Sequence, residues 1–134
     1  MSEKSGFDAI PIGLEMGPFE MTLDDDMVTE RVNLVQWENE EPLEKFNVTP
    51  PGLTISQHAR MKFMALPEMR VSIWAKSEQE FIKPMKKGSK IFIRGRIVDK
   101  YTKRGRNYLV SDYETVDEDG DILLRSRETG IYVE

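Results

Sequence analysis

The sequence predicts an α+β fold in which a long antiparallel sheet curls around one helix. Three observations carry this. The elements run strand, helix, loop, helix, then consecutive strand-like segments to the end. The second helix is mostly apolar on one side and must be covered by a sheet. The chain has 134 residues, a length that suits one domain with enough burial to fold independently.

Residues 1–18 mix Gly, Pro and polar residues without periodicity and read as a flexible N-terminal arm, leaving 19–134 as a single domain. Phe19, Met21 and Leu23 alternate as a short first strand. Asp24, Asp25 and Asp26 follow where a helix would begin; carboxylates there cap free amides and suit the helix dipole. Val28, Val32 and Val35 then give helical spacing over roughly 26–37. Pro42, Pro50, Pro51 and Gly52 break the pattern between 38 and 52. The next helix runs from Thr54 to about Leu66, with an expected stripe of Ile55, Ala59, Phe63 and Leu66; His58 flanks that stripe and Lys62 falls close to it.

The remainder alternates as strands. Val71, Ile73 and Ala75 form one, and Pro84 with Lys86-Lys87-Gly88 makes a turn. Ile91, Ile93 and Ile97 alternate with Arg94 and Arg96. Lys103-Arg104-Gly105 and Asp119-Gly120 are hairpin signals on either side of a strand from Tyr108 to Val116, and the last strand spans about Ile122 to Val133.

Composition removes whole classes of function. There is no Cys and only one His, so the usual zinc sites, a disulfide framework and a thiol nucleophile are excluded, and no metal is expected. The longest charge-free run, Phe46 to Ala59, holds two prolines and is too short to span a bilayer. No basic patch followed by an apolar stretch opens the chain, so a soluble, cytoplasmic protein without membrane contact is expected.

The net charge of −5 conceals a strong asymmetry. Residues 1–50 carry net −9, residues 83–106 net +9, and residues 107–134 net −6. The central basic block needs an anionic neighbour. Phe92, Tyr101 and Tyr108 interleave with its bases, as a single-strand binding surface would. The sequence pI of about 5.1 argues against nucleic acid, because such domains are usually basic overall. A solvated strand face or the phosphates of a nucleotide-like ligand fits better.

Other motifs are weaker. Asp117, Asp119 and Asp121 resemble part of a calcium loop, but Ile122 stands where such a loop requires Gly, so a solvated hairpin turn is expected. Histidine is the side-chain type whose unperturbed pKa lies near 7, which makes His58 a general-base candidate, yet Thr54 and Ile55, at the helical spacings before it, offer no orienting acid; a structural or surface role is favoured. Pro50-Pro51-Gly52 leads into a helix, where a Gly lets a ligand approach free backbone amides that can stabilise an oxyanion.

With its element order, the chain resembles the MaoC-like, hot-dog-fold enoyl-CoA hydratases over about residues 19–133. The stretch Glu80-Phe81-Ile82-Lys83-Pro84-Met85-Lys86-Lys87-Gly88-Ser89 is similar to the family's strand ending in F-x-x-P-V-x-x-G-D. Val98 to Arg106 is similar to the V-x-x-x-x-x-R-x-G-R hairpin of divergent N-terminal-type domains. The resemblance implies a hot-dog fold, dimers of hot dogs and a coenzyme A thioester as substrate, with no separate cofactor.

Catalytic members carry Asp and His in a D-x-N-P-x-H loop, then a His-Gly pair whose Gly amide polarises the thioester carbonyl. Aligned on Pro42, the Asp position falls on Asn39 and the His position on Glu44. Pro51-Gly52 matches the His-Gly pair, so Gly52 is the oxyanion candidate. An Asn cannot act as a base; Glu44 can. The resemblance therefore implies an acyl-CoA-binding hot-dog subunit of a hydratase or dehydratase. Its partner, a second copy or a different hot dog, would supply Asp and His. Lys86, Lys87, Arg104 and Arg106 would hold the CoA phosphates. Alternatives are a hydratase using Glu44 as a variant base, a hot-dog acyl-CoA thioesterase and, less favoured, a nucleic-acid-binding barrel.

Overall fold

The computed structural model describes residues 6–35, 41–50 and 53–134. In chain order the elements are α1 (Gly6–Ala9), β1 (Glu15–Thr22), α2 (Asp25–Val35), α3 (Glu41–Phe46), α4 (Ile55–Ala65), β2 (Val71–Phe81), β3 (Lys90–Lys103), β4 (Arg106–Asp117) and β5 (Ile122–Val133). The strands form one antiparallel sheet in the order β1-β3-β4-β5-β2. This is the α+β arrangement expected, with one topological addition. The strand after α4 does not pair with the next strand in sequence but crosses to the far side of β5.

Residues 6–18 belong to the packed domain rather than to a free arm. Phe7, Ile10 and Met16 are buried, and Lys100 Nζ donates to the carbonyls of Phe7 and Asp8 at 3.0 Å each. The apolar positions there follow neither helix nor strand spacing, because the segment packs through its own turns. β1 accordingly starts at Glu15, four residues before the alternation becomes regular. Its register shifts between Met16 and Phe19. Gly17 sits in that irregularity with positive φ, and a Cβ there would come within 2.8 Å of Met61 Cε on α4. A bare backbone at this point lets the helix approach the sheet edge.

α2 begins as its acids predict: Asp24 Oδ1 accepts from the Met27 amide at 2.9 Å, and Val28 and Val32 are buried. The predicted end near residue 37 lies outside the described residues. α3 breaks an expected loop; Leu43 is buried and anchors this short turn of helix.

β3 and β4 alternate cleanly. Ile91, Ile93, Ile97, Leu109, Tyr113 and Leu124 face the core, while Arg94, Arg96 and Arg125 face outward. β2 extends five residues beyond its expected apolar part. The polar run Ser77–Glu80 reads as loop in isolation, but it pairs through Phe81 with β5, placing Glu78 and Glu80 opposite Arg127 and Arg125. Both hairpin signals form turns. Arg104 and Gly105 have φ of +52° and +75°, the positive pair that a two-residue turn between twisted strands needs.

Candidate functional site

Three of the ten basic residues between 83 and 106 pair with acids inside the molecule. Lys83 pairs with Asp121 at 2.9 Å, Lys90 with Glu20 at 3.1 Å and Arg94 with Glu114 at 2.5 Å. Farther along the same face, Arg127 grips Asp112 through two hydrogen bonds of 2.7 and 2.9 Å. The outer face is thus striped: acidic β1, β4 and β2 alternate with basic β3 and β5. A shallow hollow of about 860 Å³ crosses this lattice. The charge segregation along the sequence is, in part, the sheet pairing with itself.

The four bases expected at CoA phosphates do not form one cluster. Lys86 and Lys87 lie at the turn before β3, bridged to the segment that leads into α4: Lys86 pairs with Val48, and the Thr49 amide donates to the Met85 carbonyl at 2.8 Å. Arg104 and Arg106 lie at the other end of β3, beside the end of β5. Fourteen residues at about 3.3 Å each separate the two pairs by on the order of 40 Å. Only Lys86 and Lys87 share an end of the sheet with the approach to α4. Glu44 is exposed on α3 and shares a hollow of about 300 Å³ with Lys87, Asp25 and Asn33. Asn39 and Gly52 lie outside the described residues.

The interior holds what the sequence did not announce. α4 buries only part of the expected stripe: Leu66 at its C-cap is buried and Ile55 half-buried. Ala59 and Phe63 are exposed, while His58, Met61 and Lys62 face the sheet. Polar residues can turn inward here because the sheet receives them. His58 Nδ1 lies 3.0 Å from Glu128 Oε2 on β5, both side chains almost wholly buried. The carboxylate can only accept, so Nδ1 donates. The imidazole stacks on the Tyr113 ring of β4, with centroids 4.2 Å apart and planes within 1°. Tyr113 in turn lies over Gly95 on β3, where a Cβ would meet the ring at 2.8 Å. Burial raises the Tyr113 pKa, leaving the phenol neutral. One turn along α4, burial lowers the Lys62 pKa, and the nearby Glu128 partly opposes that shift.

Around this group several buried side-chain atoms have no protein partner among the described residues. They are Thr54 Oγ1, Gln57 Oε1 and His58 Nε2 on α4, Thr115 Oγ1 on β4, Ser126 Oγ on β5 and the Gln79 amide on β2. Glu128 was missed because it lies 70 residues from His58. Its parity was nonetheless a signal: it shares a strand face with Leu124, Ser126 and Tyr132, all buried.

The Asp117–Asp121 turn is satisfied from within: the amides of Asp119 and Asp121 donate to Asp117 Oδ1 at 3.0 and 2.9 Å. The predicted hairpin turn forms, and the three carboxylates lie within 4.8 Å of one another. No helix among the described residues is long and apolar enough to cross a membrane.

A five-stranded antiparallel sheet in the order β1-β3-β4-β5-β2 around α4 defines the hot-dog class. Known structures place it beside MaoC-like dehydratases and related hot dogs. The chain is similar to the HadBC (3R-hydroxyacyl-ACP dehydratase) complex of Mycobacterium tuberculosis, with 16% identity over 90% of this chain and 96% of the other and a TM-score of 0.77. A MaoC-like dehydratase from Rhodospirillum rubrum is similar at 10% identity over 98% and 99% of the two chains, with a TM-score of 0.74. A thioesterase superfamily member from Thermus thermophilus is similar at 16% identity over 92% and 84%, with a TM-score of 0.67. At these identities the likeness establishes the fold. No protein-family model and no curated sequence matches the chain.

Proposed function

We propose that this chain is an acyl-thioester-binding hot-dog subunit of a hydratase or dehydratase, working in the cytoplasm with a second hot-dog subunit. The observation that carries it is the fold, shared over nearly the whole chain with HadBC and a MaoC-like dehydratase. The thioester would lie near the start of α4, with the Gly52 amide as the expected oxyanion donor, and Lys86 and Lys87, bridged to the segment that leads into α4, would meet the CoA phosphates. Asn39 and Glu44 replace the family's Asp and His, so the partner supplies the proton-transferring pair. A surface for that partner is available. β2 is an open sheet edge with Val71, Ile73, Trp74 and Phe81 exposed, and Phe63 and Met64 are exposed on α4.

The isolated chain, supplied with short and bulky enoyl-CoAs, should show little hydration, whereas co-purification from its source and intact-complex mass measurement should reveal a second hot-dog chain. Robust turnover by the isolated chain would overturn the partner-subunit reading. The likeness to a thioesterase superfamily member favours one alternative, recognised by release of free CoA without hydration.

A further inference from the structure

We infer that the outer sheet face at the β3–β4 hairpin is a self-association surface that takes α2 of a second copy of this chain. The contact is independent of the acyl-thioester reading above. Strand register lays an apolar row across four strands there: Tyr101 is opposite Tyr108, Tyr108 opposite Ile131, and Ile131 opposite Ile73. Val133 and Val71 pair two residues along, on the same face. The alternate residues Leu109 and Tyr132 are buried, so the row lies on the solvent side. Tyr101, Ile73, Val71 and Val133 are between 38% and 51% exposed, a contiguous apolar patch of the kind that marks an interaction site. Lys103 and Arg106 stand opposite each other two residues beyond the stacked Tyr101–Tyr108 pair, and Arg104 turns the chain between them. None of these three bases has an ion pair among the described residues. Asp99, across Tyr101 from them, accepts from the Lys100 amide at 2.8 Å.

Like bases would repel where two such patches met, so the patch suits a surface that is acidic and partly apolar. The chain carries one. On α2, Asp26, Glu30 and Leu34 stand at i, i+4 and i+8, a solvent-facing stripe with Val28 and Val32 buried on the other side. Leu34 is 71% exposed, and Arg31, the only base on α2, is half-buried off the stripe. With Leu34 seated on the apolar row, Glu30 and Asp26 lie about 6 and 12 Å back along the helix. Lys103 and Arg106 lie about 7 Å from that row along their strands, within side-chain reach of both acids. α2 starts beside the opposite end of β3, where the Gly88 amide donates to the Leu23 carbonyl at 2.7 Å. Two copies lying antiparallel can therefore bring each patch to the other's α2. One 11-residue helix makes a small interface, so the association is weak and weakens further with salt.

The test is sedimentation velocity of the full chain over a concentration series at about 50 and about 500 mM NaCl. An apolar contact along the β2 edge responds little to salt, which separates it from this one. The wild-type protein should self-associate at low salt and lose at least ~10-fold in affinity at high salt. Lys103→Glu/Arg106→Glu and Asp26→Lys/Glu30→Lys should each lose at least ~10-fold at low salt while far-UV circular dichroism stays native. An equimolar mixture of the two should recover association, because the reversed hairpin then meets the reversed helix. Should the α2 double variant not fold, Leu34→Arg, at an exposed position, should show the same loss. Three results overturn the inference: no salt-dependent association of the wild-type protein, wild-type association in either folded reversed variant, or a mixture that recovers nothing. Binding of a fluorescent oligothymidylate that Lys103→Glu/Arg106→Glu abolishes, without self-association, overturns it too and assigns the patch to single-stranded nucleic acid.

Discussion

The Lys62 ammonium occupies space that Gly130 leaves open: a Cβ on Gly130 would stand 3.0 Å from Lys62 Nζ and 2.8 Å from Ser72 Oγ. A buried cation on the central helix thus depends on a missing side chain on β5. Gly130→Ala should displace the ammonium and strain the contact with β2, because overpacking a filled interior costs about 1–3 kcal/mol. Urea unfolding of the variant should show a lower midpoint with an unchanged slope.

Lys62 also gives the alkaline limb of stability a defined sign. Its folded pKa lies below the ordinary lysine value of 10.5, so between the two values the unfolded chain binds more protons than the folded one. Stability contributed by this group therefore rises with pH through that window and is complete above the unfolded pKa. Tyr113 acts in the opposite sense. Its pKa is raised above the ordinary tyrosine value of 10.0, so it contributes stability that is present below pH 10 and declines above it. Lys62→Met should flatten the rise below pH 10, and it should be neutral or stabilising at pH 7 because a costly buried charge is removed. Urea denaturation at half-unit pH steps from 7 to 11 reads these effects. A slope unchanged in Lys62→Met would show that the ammonium is solvated in the folded state.

His58 and Glu128 should be strongly coupled. His58→Leu strands a buried carboxylate, which typically costs about 3–5 kcal/mol. Glu128→Leu strands the Nδ1 donor, at about 1–3 kcal/mol. The double variant replaces both polar partners, so its loss should fall short of the sum by about 0.5–3 kcal/mol. Strict additivity in a double-mutant cycle would mean that the 3.0 Å contact contributes nothing.

Much of this fold was legible because its local signals agree with its tertiary structure. Asp24 caps α2, Val28 and Val32 point inward, Ile91, Ile93 and Ile97 alternate, and both turn motifs fold as turns. What failed did so where a distant element supplies the partner. The α4 stripe was misplaced because His58 and Lys62 look like surface residues until Glu128 and the gap at Gly130 are known. β2 looked too short because its polar half is stabilised by Arg125 and Arg127 across the ladder. The basic block looked like a ligand site because Glu20, Glu114 and Asp121 are remote in sequence from the lysines and arginine they neutralise. The candidate site was the least legible part. Glu44, Lys86 and Lys87 share one end of the molecule, but Arg104 and Arg106 do not join them.

Assembly can be tested at the open edge without touching this interior. Trp74 is 58% exposed on β2, and its neighbours Val71 and Ile73 are about half exposed. An edge strand with such residues invites pairing with another chain, and a charge placed there is the usual means of preventing it. Trp74→Lys should therefore weaken association with a second hot-dog subunit. Buried aromatic anchors at interfaces contribute about 2 kcal/mol or more, so the dissociation constant should rise by at least ~30-fold. The monomer itself should unfold at the same urea concentration, because the indole is largely exposed. Sedimentation velocity across a concentration series measures the first quantity and urea denaturation the second. Unchanged association in Trp74→Lys would move the subunit contact off β2, towards another exposed apolar pair such as Phe63 and Met64 on α4.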